Sequence, residues 1–73
     1  MNIKEKLGLR IRTLRMQLGM SQEDFAFLSN LDRTYITSIE CGHRNISLQN
    51  LDKIANALKV TLPQLLTFAE DGG

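Results

Sequence analysis

The stretch SQEDFAFLSNLDRTYITSIECG, residues 21–42, decides the fold because it holds two helix starts and two helix stops. Ser21 is placed to cap free backbone amides, Asp24 stands at the third position of a capping box, and Glu23 and Asp24 lie at the positive end of the helix that follows. That helix sends Phe25, Ala26 and Leu28 to the core and lasts about two turns, because Ser29-Asn30 reads as a turn. Asp32 caps a second segment, Arg33 to Cys41, which Gly42 ends. Thr34, Ile36, Thr37 and Ile39 give this segment a β-branched content that favours a strand on propensity alone. Its periodicity favours a helix. At about 100° per residue, Arg33, Thr34, Thr37, Ser38 and Cys41 fall within an arc of about 140°, with Tyr35, Ile36 and Ile39 opposite. A strand would scatter these residues over both faces.

Outward from this pair of helices the pattern continues. Leu7, Ile11, Leu14 and Leu18 form one helical stripe before Gly19, a left-handed stop. After the donor-rich loop Gly42-His43-Arg44-Asn45, Ser47 caps a fourth helix with the stripe Leu48, Leu51, Ile54, Ala55 and Leu58, and Lys59 lies at its C-terminal end. Thr61-Leu62-Pro63-Gln64 is a further capping box with proline in the first turn, and the fifth helix carries Leu62, Leu65, Leu66 and Phe68. The expected fold is an all-α, compact five-helix domain whose second and third helices form a helix-turn-helix. The single domain spans residues 1–73, with its core over about residues 3–69 and a flexible tail at 70–73.

A chain of 73 residues with 42% apolar content buries a thin core. One cysteine, Cys41, and one histidine, His43, supply neither a disulfide framework nor a metal site, so no cofactor is expected. No apolar run approaches a membrane span, and Met1–Lys6 leads into a charged periodic segment without a secretory core, which points to the cytoplasm and away from a membrane. Nine basic residues against eight acidic ones look neutral about partners. Their arrangement is polarised: residues 1–19 carry Lys4, Lys6, Arg10, Arg12 and Arg15 against Glu5 alone, a net +4, which leaves −3 for the rest.

Catalysis finds little support. Cys41 and His43 are two apart across a helix end and are poorly placed to face each other as a thiol–imidazole pair. Cys41 reads as a small residue at the helix rim or a redox-sensitive thiol, and His43 as a solvated loop residue or a phosphate contact. What remains is a short capped helix, a tight turn and a helix whose outer face is Arg33, Thr34, Thr37 and Ser38. Such a face suits the DNA major groove: arginine grips guanine O6 and N7 with two bonds, and threonine and serine meet base donors or acceptors. Beside it, Gln22 at a helix start, Tyr35, His43, Arg44 and Asn45 are candidates for the sugar–phosphate backbone. Each has a plainer reading: Gln22 as a helix-start residue, Tyr35 as a packed ring, Arg44 as a solvated side chain. For Arg33 the plainer reading is an ion pair with Glu23, compatible with DNA binding if the side chain swings between the two.

The runs Ser21-Gln22-Glu23-Asp24-Phe25-Ala26 and Asn30-Leu31-Asp32-Arg33-Thr34-Tyr35-Ile36, followed by Ile39-Glu40 and Arg44-Asn45, resemble the five-helix family of phage Cro and lambda repressor. Within it the chain is most similar to the controller proteins of restriction–modification systems, over about residues 5–69. The resemblance implies a symmetric dimer on a pseudo-palindromic operator, with Arg33, Thr34, Thr37 and Ser38 at bases and Gln22, Tyr35, Arg44 and Asn45 at the backbone. It implies dual control, activation from one operator and repression when a second dimer fills the adjacent one, and makes Glu23 a candidate contact for RNA polymerase. A helix-dipole role for Glu23 stands beside that one. The pattern departs at Cys41, where members often carry a basic or amide residue, so no backbone contact is assigned there.

Dimerisation also follows from size. The stripes of the first four helices fill one core, and Leu62, Leu65, Leu66 and Phe68 on the fifth form a surplus face expected to meet a twin. Two reading helices about a two-fold axis enter successive major grooves about 34 Å apart. The expected function is a DNA-binding homodimer that regulates transcription of its own operon. The alternatives are a phage-type repressor or antitoxin of the same fold, and a protein-interaction module that has lost DNA.

Overall fold

The computed structural model describes residues 1–68 and contains five helices and no strand among them. They are α1 (Ile3–Gln17), α2 (Gln22–Ser29), α3 (Arg33–Glu40), α4 (Leu48–Ala57) and α5 (Leu62–Leu65). The expected tail at 70–73 lies outside the described residues.

Every helix begins at a side-chain cap. The Ser21 and Thr61 capping boxes are present as read, Asp32 accepts the Thr34 N–H at 2.9 Å, and Ser47 accepts the Asn50 N–H. A further box, Asn2 with Glu5, opens α1. The first four helices also end in one way. Gly19, Asn30, Gly42 and Lys59 all have positive φ, between 57° and 78°. The next N–H in each case reaches back to a carbonyl in the last turn: Met20 to Arg15, Leu31 to Ala26, His43 to Ser38 and Val60 to Ala55. This closure satisfies carbonyls that a helix end leaves open. Reversals are therefore tight, and 8- to 10-residue helices suffice for α2, α3 and α4.

Between these punctuated ends the apolar stripes converge. Ile11, Phe25, Ile36, Ile39, Ile54, Leu58 and Leu65 are fully or almost fully buried, with Leu7, Leu14, Met20, Leu31, Tyr35, Ile46 and Val60 packed around them. α3 packs across α1 and α2, α4 lies on α2, and α5 closes the bundle against α4 and α1. The β-branched residues of α3 are accommodated because Ile36 and Ile39 enter this core, where burial outweighs their modest helix penalty.

Several core expectations are corrected. Leu18, Leu28 and Leu48 are exposed: Leu48 occupies the first turn of α4 on the side away from the core, and Leu18 and Leu28 rim a shallow depression with Met20, Ala57 and Lys59. Ser29 belongs to α2 and is buried, its hydroxyl donating to the Phe25 carbonyl at 2.7 Å. α5 is a single turn, so Leu66 is its C-cap and Phe68, expected on the fifth helix, lies beyond it. Leu65 is fully buried in the protomer's own core and has no face to offer a twin; among the expected dimer residues Leu62 and Leu66 are the exposed pair, and Phe68 is half-buried.

The approach of α1 to α3 is set by Gly8. A Cβ there would collide with the Ile39 carbonyl oxygen and come to 3.0 Å from that of Glu40. Gly8→Ala is expected to destabilise the fold by about 1–3 kcal/mol despite alanine's better helix propensity, lowering the melting temperature by about 4–8 °C per kcal/mol. Thermal denaturation checks this, and a melting temperature at or above that of the wild type would mean the two helices have room to separate.

Candidate nucleic-acid interface

The second and third helices meet at a polar junction built on a buried ion pair. Arg15, near the end of α1, places Nε 2.7 Å from one Glu40 oxygen and Nη2 3.0 Å from the other, and its Nη1 donates to the Met20 carbonyl at 2.8 Å. The side chains are only 11% and 4% exposed. The fork geometry gives two charge-assisted bonds, and the third donor anchors the turn before α2. Glu40 also accepts from Gln22 Nε2 at 3.2 Å, and Gln22 Oε1 accepts from the Thr37 hydroxyl at 3.0 Å. A single chain of contacts thus runs from α1, through the end of α3 and the start of α2, to the outer face of α3.

On that face Arg33, Thr34 and Thr37 are exposed and Ser38 is half-buried. Arg33 Nη1 lies 2.8 Å from Glu23 Oε1, the ion pair weighed above as the alternative to a base contact. With the side chains 61% and 72% exposed, the pair is worth about 0.2–1 kcal/mol and leaves Arg33 easily recruited elsewhere. Tyr35 is half-buried; its hydroxyl oxygen accepts from Asn50 Nδ2 at 3.2 Å, so its proton stays available to an outside acceptor. The Arg44 guanidinium lies 5.4 Å from the Tyr35 ring centre, a cation–π distance. His43, Arg44 and Asn45 are exposed in the loop after α3. Cys41 is the exposed C-cap of α3.

This geometry narrows two sequence readings. Gln22 faces inward with both ends of its amide engaged, leaving one Nε2 hydrogen and the α2 amides for a phosphate. The positive charge of residues 1–19 is smaller at the surface than it reads: Arg15 is neutralised by Glu40, and Arg10 donates to the Gln64 carbonyl at 2.8 Å, clasping α5 to α1. Sequence reasoning missed Glu40, Arg15 and Asn50. Glu40 had a signal, since on the helical projection it falls about 20° from Arg33, on the edge of the polar face of α3. Its partner lies 25 residues upstream with no local mark.

A short capped helix, a left-handed turn at Asn30, and a second helix with a solvent-facing Arg-Thr-Thr surface define a helix-turn-helix protein. Residues 11–65 match the family model described as helix-turn-helix. Among curated relatives, the control protein C.BamHI of Bacillus amyloliquefaciens is 46% identical over 72 residues, covering 97% of this chain and 89% of the relative. The crystal structure of the restriction–modification controller protein C.AhdI from Aeromonas hydrophila superposes with a TM-score of 0.83 at 48% identity, over 85% of this chain and 94% of that one. The controller C.Esp1396I bound to a 25 base pair operator site superposes with a TM-score of 0.81 at 38% identity, over 90% and 91%. The chain belongs to the helix-turn-helix family and, within it, to the restriction–modification controller proteins.

The two ion pairs should behave differently. Glu40→Ala strands the Arg15 charge in the interior and is expected to destabilise the protein by about 3–5 kcal/mol, with much of that recovered when Arg15→Met accompanies Glu40→Leu. Glu23→Ala, which breaks the exposed pair, is expected to change stability by about 1 kcal/mol or less. Urea denaturation compares them, and equal losses would mean the Arg15–Glu40 pair is as well solvated as the surface one.

Proposed function

We propose that two copies of this chain form a symmetric dimer that reads a pseudo-palindromic operator in the promoter region of its own restriction–modification genes. Arg33, Thr34, Thr37 and Ser38 meet base edges, while Tyr35, His43, Arg44, Asn45 and the start of α2 at Gln22 hold the phosphates. The observation that carries this reading is the exposed polar face of α3, standing clear of the core on a helix held at the edge of that face by the Glu40–Arg15 ion pair. Tyr35 supports it with a hydroxyl proton free for a phosphate and a ring that holds Arg44 alongside α3.

Dual control follows from two dimers filling adjacent operators in turn, the first activating and the second repressing. Glu23 at the first turn of α2 is exposed, and a base contact by Arg33 frees its carboxylate for RNA polymerase. The role is one of binding, without catalysis or cofactor, and its setting is the cytoplasm, where the operator lies. Among the described residues no helix is long and apolar enough to cross a membrane. The dimer face is centred on Leu62 and Leu66, with Phe68 beside them.

Three substitutions test this reading. Arg33→Ala is expected to weaken operator binding by about 1–3 kcal/mol and relax base preference at one position, whereas Arg44→Ala should weaken all sequences and lower the salt slope by about 1. Binding titrations on operator and random duplexes at several salt concentrations separate the two, and an equal loss on both duplexes for Arg33→Ala would remove it from base reading. Leu66→Asp is expected to shift sedimentation toward monomer with the helical signal retained, and an unchanged dimer would place the interface on another face. Leu65→Asp is unsuitable for this purpose because it puts a carboxylate into the protomer core.

A further inference from the structure

The donors and acceptors around Thr37 decide more than where its side chain lies. Arg15 donates from two nitrogens to the two Glu40 oxygens, so both of those oxygens act as acceptors. The Gln22 atom 3.2 Å from Glu40 Oε1 must then be the amide nitrogen, since two oxygens there would repel. That choice sets the other end of the amide, and Gln22 Oε1 faces the Thr37 hydroxyl at 3.0 Å. The second group within reach of that hydroxyl is the Arg33 carbonyl oxygen at 3.1 Å, again an acceptor. Thr37 has one hydroxyl proton and two protein acceptors competing for it. Among the described residues no donor occupies its lone pairs, and the side chain is exposed.

A threonine free to rotate can donate to a base or accept from one and so discriminates poorly. We propose that the relay from the Arg15–Glu40 ion pair through the Gln22 amide holds Thr37 as a hydrogen-bond acceptor toward the major groove. The base opposite it is thereby selected for an exocyclic amino group, N4 of cytosine or N6 of adenine. Keto groups at the same place, O6 of guanine or O4 of thymine, meet lone pairs instead of a proton and are rejected. Gln22 is in this sense a positioning residue for specificity, acting through Thr37. The inference rests on the reading of α3 as the base-contacting helix.

The test uses the full-length protein and the operator located by footprinting upstream of its gene. Each half-site is scanned symmetrically with base analogues that lack a single group: purine for adenine and pyrimidin-2-one for cytosine remove the amino group, while 2-aminopurine for guanine and 5-methylpyrimidin-2-one for thymine remove the keto oxygen. Affinities are measured for the wild type and for Thr37→Val, which keeps the shape and loses the hydroxyl. At one symmetric position, removal of an amino group is expected to weaken wild-type binding about three- to ten-fold, the range for one hydrogen bond, and to leave Thr37→Val unaffected. Gln22→Met leaves the Arg33 carbonyl as the acceptor for the Thr37 proton and should reduce, without abolishing, the preference for amino over keto bases at that same position.

A Thr37-dependent loss on removing a keto oxygen would overturn the proposal, because Thr37 would then be donating. So would the absence of any Thr37-dependent position while Arg33→Ala still changes base preference, which sinks the relay and leaves α3 as the reader. If neither Arg33→Ala nor Thr37→Val alters the preference for any base, the reading of α3 falls and the relay with it.

Discussion

The junction of α1, α2 and α3 depends on the Arg15–Glu40 ion pair. Two charges withdrawn from water are costly to place in a domain this small, and the structure offsets that cost by satisfying them from several sides. Arg15 binds both Glu40 oxygens and the Met20 carbonyl, and Glu40 also receives the Gln22 amide. A hydrophobic contact in the same place would hold the helices together without setting their rotation. The directional bonds settle how α3 is turned about its axis, and so which side chains it shows to solvent. Gly8 acts with them, since it lets the α1 backbone come against the end of α3, where Glu40 lies.

A thin core has consequences at the other end of the bundle. Leu65 was expected as part of a surplus face, yet the protomer uses it to close α5 onto α1 and α4, and Arg10 clasps the same turn through the Gln64 carbonyl. The apolar side chains left exposed are the narrower pair Leu62 on α5 and Leu66 at its C-cap. In a chain of 73 residues the same one-turn helix therefore completes one core and offers apolar surface beyond it.

Much of the fold was legible because its signals are local. Ser21 with Asp24, Asp32, Ser47 and Thr61 with Gln64 act within three residues of themselves, and so do the stops at Gly19 and Gly42. The outward face of α3 was legible for the same reason, as a helical projection needs only neighbouring positions. Leu28 and Leu48 were misplaced because periodicity identifies a stripe but not how wide a stripe the neighbouring helices cover. Arg15 was read as surface charge because its partner is 25 residues away. The Arg33–Glu23 pair was foreseen as an alternative, since helices this short bring the start of α2 within reach of the start of α3.

Sequence alone determined the helices, their caps and breaks, and the residue types available to a DNA groove, because all of these follow from interactions along a few turns of chain. Tertiary structure alone decided which of those residues are free to act. It turned Arg15 and Arg10 inward, engaged both ends of the Gln22 amide, paired Arg33 with Glu23, and brought the Gln22 oxygen to the Thr37 hydroxyl. The physical reason is that a donor or acceptor is defined by its partner, and those partners come from other helices, brought within about 3 Å only when the chain is folded.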